Sequence, residues 1–244
     1  MSFRDRNPTT DGERVYVRFG DLGIYAYDMN GNEVWAYSIP FKPTMSDWGS
    51  ASSPILEGNL LIALYDNEEE SWIAALDKRT GKTVWRTKRS VDFQDLNTNG
   101  EPFRDGDLRK GYSTPLVIQH GGVTQLISIG AMACYAYDPL TGRELWRVTE
   151  RAQHSASTRP VYGHGMVYIA TGFQVPSLIA VRADGQGDVT RTHTAWTLRR
   201  GAPLTPSPLL VGDELYVVSD LGVCLLYPSD AAADPTALLL ALPP

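Results

Sequence analysis

The stretch "LDKRTGKTVW" (residues 76–85) carries an aspartate, a Thr-Gly turn and a closing tryptophan. Much the same stretch returns as "YDMNGNEVW" (27–35) and "YDPLTGRELW" (137–146). An aspartate in such a turn accepts backbone N–H groups, and glycine supplies the positive φ that lets the chain reverse. A stretch that recurs is architecture before it is chemistry, so the period of the repeat decides the fold.

Trp35, Trp85, Trp146 and Trp196 mark one register, with spacings of 50, 61 and 50 residues. Ser/Thr-rich stretches ending in proline mark a second: "SASSP" to Pro54, "GYSTP" to Pro115, "SASTRP" to Pro160 and "LTPSP" to Pro208. Between the markers lie apolar runs such as "ILEGNLLIAL" and "VYGHGMVYIA", each broken by a Gly-containing turn. That is a hairpin signature. One unit therefore reads as four strands in roughly 45–60 residues, and a four-stranded antiparallel sheet at that period predicts an all-β fold, a β-propeller. A sandwich would not return the same turn and the same tryptophan. Because a blade cannot bury both its faces alone, each tryptophan is expected to pack against the next blade.

The pattern Ala-x-Asp-x-x-x-Gly-x-x-x-Trp fits without gaps at Ala75, Asp77, Gly81, Trp85 and at Ala136, Asp138, Gly142, Trp146. It fits one residue short at Ala26, Asp28, Gly31, Trp35. In the fourth unit Arg182 replaces the aspartate, and "ADGQGDVTRTHT" precedes Trp196. The pattern resembles the tryptophan-docking motif of PQQ-type (quinoprotein) β-propeller repeats. The resemblance spans residues 10–223. It implies seven or eight blades in a complete ring and a bacterial, extracytoplasmic protein, periplasmic or extracellular. It also implies one of two functions. Some members resemble alcohol and sugar dehydrogenases that bind pyrroloquinoline quinone with calcium. Others resemble the BamB-like scaffolds of outer-membrane protein assembly, which carry no cofactor and engage protein partners. The expectation here is a non-catalytic scaffold or binding module with no cofactor, its partner a protein. The alternatives are a quinone-dependent dehydrogenase fragment and a calcium-stabilised structural propeller.

The repeat counts to about four and a half blades, the first lacking its first strand. That predicts a partial propeller over residues 1–223. After Gly222 the repeat is replaced by "VCLLYPSDAAADPTALLLALPP", in which "CLLYPSDAAAD" resembles a translated sequencing adapter. Residues 224–244 are accordingly read as a non-native tail, with a short helix at "DPTALLLALPP" as the alternative.

Net charge is −6 with no basic block, which argues against nucleic acid or an anionic membrane as the main partner. No apolar run reaches the roughly 18 residues of a membrane helix, and the N-terminus has no apolar signal core. Cys134 and Cys224 form no CxxC and no zinc spacing, and the vicinal Cys-Cys pair of the resembled dehydrogenases is not found. No residue stands out as catalytic.

Two sets of residues could carry binding. "DLNTNGE" begins like a calcium loop, with Asp95, Asn97, Asn99 and Glu101 at alternating positions and Gly100 at the sharp turn. The twelfth position is Gly106 rather than a carboxylate, and Asp105 and Asp107 flank it. The competing reading is a polar surface hairpin. The second set comes from the segments that enter each blade, which converge at one mouth of a propeller channel. It comprises Trp48, Ser50, Arg109, Lys110, Tyr112, His154, Ser155, Arg159, Arg199 and Arg200. This net basic group on an acidic protein is the expected partner or ligand face.

Overall fold

A computed structural model of the chain describes residues 7–20, 22–39, 52–173, 175–228 and 238–241. Its strands fall into five sheets in chain order, antiparallel apart from one two-residue parallel pairing in the third. The first holds β1 (Thr9–Thr10), β2 (Arg14–Phe19), β3 (Gly23–Asp28) and β4 (Glu33–Ser38). The second holds β5 (Ile55–Glu57), β6 (Leu60–Asp66), β7 (Ser71–Asp77) and β8 (Thr83–Lys88). A 3-10 helix (Phe103–Arg109) interrupts the long linker to the third sheet. That sheet holds β9 (Leu116–His120), β10 (Val123–Ile129), β11 (Ala133–Tyr137) and β12 (Glu144–Thr149). The fourth is built from β13 (Val161–Gly163), β14 (Met166–Ala170), β15 (Leu178–Arg182) and β17 (Thr194–Leu198). The chain segment β16 (Gly187–Asp188) leaves it to join the third. The fifth holds β18 (Leu209–Val211), β19 (Glu214–Val218), β20 (Val223–Pro228) and β21 (Leu238–Ala241).

The fold is an all-β partial propeller, and its core is a series of layers between neighbouring sheets. Tyr16, Ile24 and Trp35 of the first sheet pack on Leu61, Ala63 and Leu76 of the second. Ile62, Ile73 and Trp85 meet Leu126, Tyr135 and Tyr137. Ile127, Ala136 and Trp146 meet Val167, Ile169 and Val181. Tyr168 and Ala180 meet Leu215 and Val217. Each face is apolar because both are covered, which is why β6 and β7 read as near-continuous apolar runs.

Three details differ from the sequence expectation. The first sheet has its first strand, the two-residue β1 paired with β2. Five sheets are described rather than four and a half. In place of the short helix given as the alternative at "DPTALLLALPP", residues 238–241 form a strand paired with β20.

The motif has a geometric explanation. Ala26, Ala75, Ala136 and Ala180 are the cross-strand partners of Trp35, Trp85, Trp146 and Trp196. All four alanines are fully buried. A β-bulge follows each alanine, and the turn lies beyond it. In that turn Asp77 Oδ1 accepts the Arg79 and Thr80 N–H groups at 3.0 and 2.9 Å. Asp28 and Asp138 do the same for Asn30 and Leu140.

The turn glycine then meets the tryptophan of the preceding sheet. A Cβ on Gly81 would lie 2.6 Å from Trp35, and one on Gly142 would lie 2.6 Å from Trp85 Cδ2. The same indoles donate Nε1–H to the carbonyl just after the next aspartate, Trp35 to Lys78 at 3.1 Å and Trp85 to Pro139 at 2.9 Å.

Where the motif is degraded, the contact is rebuilt. Trp146 Nε1 donates to Gln125 Oε1 at 2.8 Å, and Gln125 Nε2 donates to Ala183 O at 2.8 Å. The insertion before Trp196 supplies β16, which pairs in parallel with Trp146 and Arg147. Trp196 Nε1 has no hydrogen-bond partner among the described residues. The turn of the fifth sheet that would face it falls outside them.

A second belt runs through the Ser/Thr-Pro markers. Ser52 Oγ donates to Ser113 O at 2.8 Å, and Ser113 Oγ donates to Thr158 O at 2.6 Å. These hydroxyls are fully buried and link the entry segments of three successive sheets.

Gly31 provides an internal control for the outer contact. Its φ of +86° resembles +70° at Gly81 and +71° at Gly142, yet nothing lies within 4 Å of its Cβ position. Alanine at any of the three incurs about 1–2 kcal/mol for the left-handed backbone. Gly81→Ala and Gly142→Ala also drive a methyl into an indole, a further ~1–3 kcal/mol. Denaturant unfolding is expected to rank both well below Gly31→Ala. Equal losses at all three would contradict the packing account.

Candidate functional site

In each sheet the first strand starts from an entry segment and the second strand returns to the same end. The entry segments and the loops after β6, β10 and β14 therefore share one face. The Asp66–Gly111 bridge ties one such loop to an entry segment. Tyr112 N donates to Ala156 O at 2.8 Å, and Ser155 N donates to Lys110 O at 2.7 Å, tying two entry segments together.

The cations expected on this face divide into two groups, Arg109 and Lys110 engaged by carboxylates and Arg159, Arg199 and Arg200 exposed. Arg109 forms a fork on Asp95, Nε to Oδ2 at 2.9 Å and Nη2 to Oδ1 at 2.7 Å. Lys110 is buried, with Nζ 2.5 Å from Asp107 and 3.5 Å from Glu68. Burial opposes its charge, but these carboxylates raise the Lys110 pKa on balance. His154 is buried beside Phe173, its Nδ1 3.2 Å from Ser155 Oγ. Tyr112 is half-buried. Arg159, Arg199 and Arg200 are exposed, and Arg199 reaches Ser177 at 3.3 Å and Glu150 at 3.8 Å. Trp48 and Ser50 lie outside the described residues. The long linker brings Asp95 to Arg109 and Asp107 to Lys110, and Glu68 from the loop after β6 adds to Lys110.

Side chains of the calcium-like loop also have partners within the protein. Both Asp95 oxygens face Arg109, whose hydrogen bonds hold the Asp95 carboxyl below the usual range despite burial. Asn97 Oδ1 accepts the Asn99 and Glu101 N–H groups at 2.8 and 3.0 Å, and its Nδ2 donates to Glu101 at 3.0 Å. Asp107 is engaged by Lys110. Of Asp105 only the backbone, within the 3-10 helix, is described. The loop is a self-satisfied turn. Among the described residues no group of three or more His, Cys, Asp or Glu is placed to hold a metal.

The feature that spacing did not reveal is a buried ion pair. Arg89 Nε and Nη2 bind Asp66 Oδ1 and Oδ2 at 3.0 and 2.8 Å, with both side chains buried. The guanidinium also donates to Ser128 Oγ at 2.9 Å and Tyr137 OH at 3.3 Å, and lies 5.0 Å from the Tyr135 ring centre. Burial works against both charges, and the Asp66 carboxylate more than offsets this for Arg89, whose pKa is raised. The pair joins the second sheet to the third. Cys134, in the next layer between the third and fourth sheets, is buried and burial pushes its thiol up to about 12, so it is a core residue and not a nucleophile.

The chain belongs to the family described as outer membrane protein assembly factor BamB, whose model matches residues 3–117 and 131–233. No curated protein sequence matches it. Among solved structures it is similar to BamB from Moraxella catarrhalis, with a TM-score of 0.66 and 18% identity. That match covers 91% of this chain and 60% of the other. It is also similar to the quinohemoprotein alcohol dehydrogenase ADHIIG from Pseudomonas putida HK5, with a TM-score of 0.62 and 14% identity. Here 97% of this chain matches 42% of the other. The chain thus spans well under two thirds of each, and at these identities the likeness is one of fold. Among the described residues no helix is long and apolar enough to cross a membrane.

Two outcomes are expected. Because its folded pKa is depressed, Asp95 contributes stability that is present above the ordinary value of about 3.9 and lost as pH falls through the folded value. Asp95→Asn should therefore lower the melting temperature at pH 7, by an amount that shrinks as the pH is taken down into the acid range; added calcium should leave the parent unchanged. A calcium-dependent rise abolished by Asp95→Ala with Asn97→Ala would contradict the turn assignment. Separately, Arg89→Met strands a buried carboxylate and should remove about 3–5 kcal/mol of unfolding free energy. A loss within a few tenths would show that the pair is not buried in solution.

Proposed function

We propose that the chain is part of a non-catalytic propeller scaffold of the bacterial cell envelope, periplasmic or outer-membrane-associated, that binds a protein partner. The observation that carries this reading is the mutual neutralisation of the linker face. Arg109, Lys110 and Arg89, the cations around the linker between the second and third sheets, are held by Asp95, Asp107, Glu68 and Asp66, while Arg159, Arg199 and Arg200 of the later entry segments are exposed. Pyrroloquinoline quinone carries carboxylates and needs cations or a metal to hold it. The family match with an assembly factor supports the same reading.

A quinone-dependent dehydrogenase is the second reading, favoured by the structural likeness to a quinohemoprotein alcohol dehydrogenase. Equilibrium dialysis of the chain with pyrroloquinoline quinone and calcium separates the two. The scaffold reading expects no stoichiometric retention. Retention of one quinone per chain, with its absorbance change, would favour the dehydrogenase.

A further inference from the structure

The linker of residues 90–115 does more than neutralise its neighbours. Its first half folds against the loop after β10 and encloses an open groove of about 360 Å³. The walls are Phe93, Leu96, Phe103, Leu108 and Met132. Leu96 and Phe103 stand at the rim with 60% and 58% of their surface in water. Of the polar side chains that line it, Asp95 is engaged by Arg109 and Asn97 by its own turn, and Gln94 completes the polar lining.

Two further observations point to an occupant. Gln94 and Met132 line the groove with φ of 52° and 59°, a backbone region that costs non-glycine residues of order 1–3 kcal/mol and clusters at binding sites. The third sheet holds that backbone in place: Met132 N donates to Gln153 O at 2.7 Å, and Arg151 donates to Asp92 O at 2.6 Å. The groove is therefore built rather than incidental. The second observation is charge. Residues 92–110 carry five carboxylates against three cations, and Asp92 and Glu101 are exposed beside the groove. Arg151, an exposed cation that donates to the Asp92 and Phe93 carbonyls, offsets one of these charges and leaves the set net negative.

We propose that this groove docks a partner-protein segment presenting an aliphatic and an aromatic side chain flanked by lysine or arginine. This rests on the scaffold reading and names the chemistry of its partner. The acidic rim disfavours an anionic quinone and an anionic lipid surface. It equally disfavours a second copy of this chain, whose net charge is −6.

The probe is the fluorescein-labelled peptide acetyl-KKLGFKK-amide, followed by fluorescence anisotropy against the whole chain. Saturable binding is expected. It should weaken at least tenfold for the chain with Leu96→Ser and Phe103→Ser, whose melting temperature should hold because both side chains are largely exposed. A peptide with serines for Leu and Phe, and one with glutamates for the lysines, should each bind at least tenfold more weakly. Equal affinity for the parent and the doubly substituted chain would overturn the proposal, as would tight binding of the glutamate peptide. A concentration-dependent dimer in sedimentation velocity that the double substitution abolishes would assign the groove to a second copy instead. If the peptide fails and quinone is not retained, the groove assignment falls and the scaffold reading stands; quinone retention that displaces the peptide would remove both.

Discussion

An indole lying on a glycine of the next sheet is the contact on which the rest of this molecule depends. It requires three things at once. The cross-strand partner of the tryptophan must be small, which fixes alanine at positions 26, 75, 136 and 180. The turn opposite must have no Cβ, which fixes Gly81 and Gly142. A carbonyl must be aimed at the indole nitrogen, which the aspartate-capped turn provides. With the outer rims locked in this way, the buried hydroxyls of Ser52 and Ser113 close the inner edge. The apolar layers between are then held from both sides.

The same constraint shows how the fold absorbs a damaged repeat. The fourth unit loses its aspartate to Arg182 and gains an insertion. Gln125 extends from β10 to bridge Trp146 to Ala183, and the insertion returns as an added strand on the neighbouring sheet. An unsatisfied buried indole N–H would be destabilising, so a bridging amide is a sufficient repair. The long linker between the second and third sheets is a different kind of departure. It adds carboxylates where the entry segments bring cations, and with them a groove that the repeat itself does not require.

How far the sequence could be read follows from these contacts. The recurrence of Asp77, Gly81 and Trp85 in other units disclosed the blades because it reflects a local turn and a period, both visible along the chain. The two-residue β1 was missed because it is too short to carry an alternation. The partners of the linker-face cations were not legible for a related reason. Sequence order gathers Arg109, Lys110 and His154 by their place in the repeat, but it does not show that Asp95 and Glu68 fold back onto two of them. Nor does spacing disclose Asp66 and Arg89, which lie 23 residues apart, one closing β6 and the other just past β8, and meet only in the packed layer. Position in the repeat predicted place; it did not predict partner.

The indole nitrogens offer the most direct measurement. In a ¹⁵N-tryptophan-labelled chain, the Nε1–H resonances of Trp35, Trp85 and Trp146 should exchange with deuterium far more slowly than an unprotected indole, because each is closed off by Lys78, Pro139 or Gln125 of a packed sheet. Slow exchange at all three would establish the interlocked blades on which both the neutralised face and the groove depend. Exchange at the unprotected rate at these positions would mean that the sheets do not pack as described, and the account would fail at its base.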